Sequence, residues 1–202
     1  MLFRGQSSGA QNICARAQGI LDSFQSLDIN SVKCNLSSDQ QENVKWEPPP
    51  VDWLKLNVDA AVDAKKGIVG DGAVVRNHDG LVMAAGMAHG VFSYDVDVAL
   101  AEAEALCFGL RMAREVGLSP LIVESDSLRL IQFVLDRLST HAELFWLISE
   151  AKNLLSLRHK FQVRHILRVC NITADALAKY FICCRKYYVW MEDFPPHLCC
   201  YL

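Results

Sequence analysis

WLKLNVDAA, residues 53–61, decides how the rest of the chain reads. Its side chains alternate: Leu54, Leu56 and Val58 point one way, Lys55, Asn57 and Asp59 the other. That period of two marks a β-strand. An aspartate in mid-strand is disfavoured, because its short carboxylate competes for backbone hydrogen bonds. A strand that carries one either turns it to solvent as the polar face of a sheet edge or uses it. Three further acids downstream, each at the start or end of an element, weigh toward use.

Beyond Asp59 the chain predicts a hairpin. Residues 68–76 and 81–89 are strand-like, and Asn77-His78-Asp79-Gly80 supplies the glycine of the reversal. Gly70-Asp71-Gly72 reads as strand glycines and bulges, since neither a following helix nor phosphate-loop spacing accompanies it. A helix follows over 98–116, closed by Gly117, with the apolar stripe Ala99, Ala103, Leu106, Leu110 and Ala113. At the helical period Glu102 falls about 60° from the centre of that stripe and Glu104 roughly 140° away. Glu102 therefore borders the buried face, where a carboxylate needs a partner, and Glu104 is expected in solvent.

Residues 121–125, LIVES, form a short apolar strand, central and parallel to the first, with Asp126 at its C-terminal end. Sites gather at such strand ends, although helix N-capping by Asp126 is a competing role. Helices over 128–138 and 143–157 and a core strand over 161–167 follow. Asn171 or Thr173 caps a last helix that carries Asp175 in its first turn, where the helix dipole alone would favour an acid. The order βββ-α-β-α-α-β-α sets strand one beside strand four. The expected fold class is α/β: a five-stranded mixed sheet, three antiparallel strands then two parallel, flanked by helices.

The 202 residues, 51% of them hydrophobic, suffice for one domain with a core. The net charge of −3 argues against a general nucleic-acid coat protein, but its distribution is uneven. Residues 95–150 hold ten acids and four bases; residues 151–190 hold eight bases and one acid, Asp175. An acidic middle beside a basic C-terminal part suits an enzyme that binds a polyanion around a metal site. The eight cysteines include two adjacent pairs, Cys183–Cys184 and Cys199–Cys200, and no CxxC spacing, so free thiols in a reducing compartment are expected rather than a disulfide or zinc framework. No secretory signal or membrane-length apolar run is visible, which predicts a soluble intracellular protein of nucleus or cytoplasm without membrane contact or an obligate protein partner. Residues 1–45 read as a weakly ordered leader with at most a short helix near 13–24. The domain is expected over 46–196, opening on Trp46 and Pro48-Pro49-Pro50, with a tail over 197–202.

Five segments together resemble the type 1 ribonuclease H domain, in its plant reverse-transcriptase-like, retroelement-derived branch. They are WEPPPVDWLKLNVDAA at 46–61, GDGAVVRNHDG at 70–80, AEAEALCFGL at 101–110, IVESDS at 122–127 and NITADALAK at 171–179. The resemblance implies the ribonuclease H-like fold and a carboxylate tetrad at Asp59, Glu102, Asp126 and Asp175. It implies two Mg2+ or Mn2+ ions there and endonucleolytic hydrolysis of the RNA strand of RNA–DNA hybrids. Asp59 would bridge both ions, with Glu102 and Asp126 on one side and Asp175 on the other. The physics agrees: unit charges about 4 Å apart repel by roughly 4 kcal/mol at an effective dielectric near 20, and hard cations with oxygen ligands relieve this. The family's histidine falls at His165, where a plain strand-end histidine is the competing reading. Ser127 and Asn171 match positions beside the nucleic acid, or else cap helices. Arg164 and Arg168 are candidate phosphate contacts. The chain departs from the family in having Ala60 where glycine is frequent, and it lacks a basic, tryptophan-bearing handle between Asp126 and the last strand. Weak, salt-sensitive hybrid affinity, or a binding module without turnover, is the alternative this raises.

Overall fold

In the computed structural model, residues 44–90, 97–136, 138, 142–157 and 160–202 are described. Residues 1–43 of the leader, with its expected short helix, lie outside the described residues. The compact unit that carries the sheet runs from Lys45 to Leu202.

β1 (Leu54–Asp63), β2 (Ile68–Arg76) and β3 (Val82–His89) make an antiparallel meander, followed by α1 (Val98–Glu115) and β4 (Leu121–Ser125). Then come α2 (Leu128–Val134), α3 (Ala142–Ser156), β5 (Phe161–His165), α4 (Ile172–Cys184) and β6 (Tyr188–Met191). The sheet order is β5-β4-β1-β2-β3-β6, with β1, β4 and β5 mutually parallel. The α/β class and the placing of β1 beside β4 hold. The strand number does not: there are six strands, because β6 pairs antiparallel with the outer edge of β3. Four residues after a left-handed Arg185 are too few to signal a strand by periodicity.

Two further expectations change. The strand over 161–167 ends at His165 and is an exposed edge, with only Val163 reaching the core, so it is no core strand. The helix over 128–138 stops at Val134, and Asp136 takes a left-handed φ of 57°.

Both faces of the sheet are covered. On one, Leu56, Val58 and Val75 pack against Leu106 and Leu110 of α1 and Leu144 and Ile148 of α3. Gly109 lets α1 close on β1, since a Cβ there would lie 2.6 Å from Val58 Cγ1. On the other, Val74 and Met87 pack against Leu177 and Phe181 of α4. Gly70 and Gly72 are close-approach points and not bulges: a Cβ on Gly72 would lie 2.6 Å from Ala178 N on the α4 backbone. Among the described residues no helix is long and apolar enough to cross a membrane.

Candidate active site

β1 is central, so its polar face is buried under α4 and not solvated. Asp59 is 4% exposed and pairs in register with Gly72, beneath α4. The close seat of α4 on Gly72 brings Asp175, in the first turn of that helix, toward Asp59. Asp126 stands just past the end of β4, on the strand parallel to β1. Glu102 lies on the first half of α1 and is 8% exposed. Glu104 is half-buried, not solvated as its helical angle predicts, and its charge acts on Asp71.

Neighbouring acids act on Asp59 and on Glu102. Burial, then the charges of Asp126 and Asp175, push Asp59 up to about 7, against the Ala60 N–H and the Arg168 charge. Burial, then Asp59 and Asp126, hold Glu102 well above the ordinary carboxylate range. Glu102 Oε2 is buried and accepts no hydrogen bond.

Asn171 links the elements. It sits at the N-cap position of α4, but its side chain makes no capping bond. Nδ2 donates instead to Val58 O at 2.9 Å and to Asp126 Oδ1 at 2.7 Å. Capping of α2 falls to Ser127, whose hydroxyl accepts from Leu130 N, so Asp126 is free of that role and Ser127 is occupied by it. Asp175 meets Lys179 Nζ at 2.6 Å and Arg168 at 3.5 Å. Exposed His165 donates from Nε2 to the Asp126 carbonyl at 3.2 Å. Arg168, also exposed, is near enough to lower both Asp59 and Glu102. Arg164 lies on the exposed edge strand and donates to Gln162; nothing brings it to the acids.

An all-oxygen donor set with an unpartnered buried carboxylate oxygen fits a hard divalent cation in its chemistry. The spacing is that of an open cluster: among the described residues no three His, Cys, Asp or Glu side chains stand close enough to hold a single ion.

Two groups of buried residues escape the sequence. Asp71 is buried on the α1 face, with Oδ1 unpartnered, and burial followed by the Glu104 charge pushes it up to about 8. Its signal was alternation with Ala73 and Val75, between Gly70 and Gly72. A ladder of Lys55, Asn57, Arg76 and Glu124 lies under Trp46, on the same face as Asp59. Only the parity of Lys55 and Asn57 hinted at it.

Comparison with known proteins gives four findings. The family model described as "Reverse transcriptase-like" matches residues 57–181. An Arabidopsis thaliana protein named "Putative ribonuclease H protein" is 27% identical over 140 residues, covering 68% of this chain but 22% of its own length. Ribonuclease H1 from the archaeon Halobacterium salinarum superposes with a TM-score of 0.60 at 24% identity, over 64% of this chain and 97% of that one. The N-terminal ribonuclease H domain of a Mycobacterium tuberculosis protein gives 0.58 at 25% identity, over 63% and 91%.

Proposed function

The chain belongs to the reverse transcriptase-like family, and on that premise we propose that it is a metal-dependent endonuclease cutting the RNA strand of RNA–DNA hybrids. The observation that supports the proposal is Asp59 buried beneath α4, with Asn171 joining Val58 O to Asp126 Oδ1 beside it and the charges of Asp126 and Asp175 acting on Asp59. The names of the relatives supply the substrate class.

Asp59, Glu102, Asp126 and Asp175 would hold Mg2+ or Mn2+, two ions in this reading. Bound there, the cations would supply Lewis-acid charge to the scissile phosphodiester. The chain's own residues do the rest. Asn171 keeps Asp126 turned toward β1 by its two hydrogen bonds. His165, anchored on the Asp126 carbonyl, would pass a proton to or from the reacting group. In the hydrolysis a water oxygen bonds to phosphorus and the P–O3′ bond breaks, leaving a 5′-phosphate and a 3′-hydroxyl. Arg168 would neutralise backbone phosphate beside the acids, with Arg164 further along the edge strand and Ser127 at the mouth of α2. The hybrid would be distinguished by its 2′-hydroxyls, read in a shallow groove.

A binding module without turnover is the second reading. It is favoured by the open spacing of the acids and by Asp175 already meeting Lys179 and Arg168. A labelled hybrid incubated with Mg2+ decides between the two, with Asp59→Asn and Asp126→Asn alongside. The proposal expects each variant to lose roughly 10³-fold or more in cleavage, the loss of several kcal/mol of transition-state stabilisation. Equal cleavage by all three proteins would mean that the activity comes from elsewhere, and binding without cleavage would select the second reading.

A further inference from the structure

We propose that Trp46, Arg76, Asn57 and Glu124 form a positioning device that sets the spacing of Asp59 and Asp126 from the last rung of the β1–β4 ladder. The inference rests on the metal reading of that site. The β1–β4 ladder gives the reason. Its last paired residues are Asn57 and Glu124. Both strands run on past that rung, β1 to Asp59 and β4 through Ser125 to Asp126, with no further pairing between them. The distance between the two acids is therefore fixed by clamps on either side. Above the rung Asn171 bridges Val58 O to Asp126 Oδ1.

Below it the clamp is a chain of side chains. Asn57 Nδ2 donates to Glu124 Oε2 at 3.1 Å across the last rung. Which way that amide points is decided by Arg76, whose Nη2 donates to Asn57 Oδ1 at 2.9 Å. Arg76, 2% exposed, has an unpartnered Nε and is held from outside by the Trp46 ring, 3.5 Å from its guanidinium carbon. Lys55 meets Glu124 Oε1 at 2.9 Å and returns to the same strap by donating to Glu47 O at 2.6 Å. Trp46 and Glu47 precede the segment that the family model matches. A cation seated on an aromatic face and shielded from water is held more firmly than an exposed one. If the indole is removed, water reaches Arg76, the Asn57 amide loses its fixed orientation, and the rung that aligns the two acids loosens.

Trp46 and Arg76 touch no reacting atom, so the test needs a readout that a purely structural role would leave alone. Mn2+ affinity is measured by EPR on the full chain, well below the unfolding midpoint, for the parent, Trp46→Leu and Trp46→Phe. Leucine keeps an apolar cover; phenylalanine keeps the aromatic face. Hydrogen exchange at the amides of Val58, Asp59 and Ser125 is followed without metal. We expect Trp46→Leu to weaken Mn2+ binding by roughly 10-fold, the scale of outer-shell changes, and to speed exchange at those amides, and Trp46→Phe to restore most of both. Parent-like Mn2+ affinity in Trp46→Leu overturns the inference, whatever happens to its melting temperature. A parent that binds no Mn2+ overturns the metal reading and this inference together. Mn2+ binding that follows the expected pattern in a protein that leaves the hybrid uncut supports this inference and sinks the cleavage reading alone.

Discussion

Two groups of charged side chains meet the sheet two residues apart along β1 and β4, around Asn57 and Glu124 and around Asp59 and Asp126, and they obey opposite rules. In the lower group Lys55 and Arg76 surround Glu124 and Asn57, and the partners are opposite in charge or hydrogen-bonded. Burial pulls Arg76 down to about 10, partly offset by Glu124, so it stays charged at neutral pH. In the upper group Asp59, Glu102, Asp126 and Asp175 are alike in sign, and the opposing Arg168 and Lys179 sit at the exposed rim. The lower group can be accounted for by folding alone. The upper one is an electrostatic load that folding alone would remove. The difference separates scaffold from site among buried ionisable groups.

The largest expected effect is in the lower group. Glu124→Ala leaves Lys55 and Arg76 buried without their anion, and breaking such a pair costs about 3–5 kcal/mol. Chemical unfolding of the metal-free protein measures this. Asp59→Asn should go the other way and raise stability at neutral pH. If Asp59→Asn destabilises as Glu124→Ala does, the upper group is scaffold too and the contrast fails.

The next effect is the pH dependence of stability. Asp59 ionises near 3.8 when unfolded and near 7 when folded, so between those values the folded state binds more protons. Stability from this group is therefore present below the unfolded value, is lost as pH rises through the window and levels off above about 7. Between about pH 5 and pH 8 the loss from this group amounts to roughly 2–3 kcal/mol, and Asp59→Asn should remove that share. Asp71, held near 8, and Glu102, held well above the ordinary carboxylate range by burial, leave a residual slope of the same sign. Millimolar Mg2+ should raise the melting temperature more at the alkaline end, where the cluster is ionised. A stability that rises steadily across this window would contradict the upper group's assignment.

Smaller again is Gly72→Ala, about 2 kcal/mol by unfolding, because the new methyl meets α4 backbone and must push the helix that carries Asp175. It should also weaken Mn2+ binding, whereas Gly117→Ala, in open space at a left-handed position, should affect stability alone.

What could be read in advance follows from period and proximity in sequence. Alternation assigned β1 and put Asp59 opposite Leu56 and Val58, and the 100° helical step separated Glu102 from Glu104. Those signals are local. The lower group is not: Asn57 and Glu124 are 67 residues apart, Asn57 and Arg76 19, and their meeting depends on strand register. Asn171 could be narrowed only to a cap or a site residue, because its partners are 113 and 45 residues away. The edge position of β5 and the addition of β6 were hidden for the same reason, since a strand's neighbours are not written in its own residues. Glu104 was misplaced because helical angle gives direction and not what lies above it.

The smallest effect is the sharpest test of the contrast. Lys179 meets Asp175 one helical turn away while being 59% exposed. An exposed i,i+4 pair contributes at most about 0.5 kcal/mol, so Lys179→Met should change stability by no more than that and tighten Mn2+ binding by about twofold or less. Cleavage, if present, should need slightly less metal. Unfolding curves and a metal titration of the one variant measure both. A stability loss of 2 kcal/mol or more would mean that Lys179 compensates Asp175 as Lys55 compensates Glu124. The upper group would then be neutralised from within, and its need for a cation from outside would disappear.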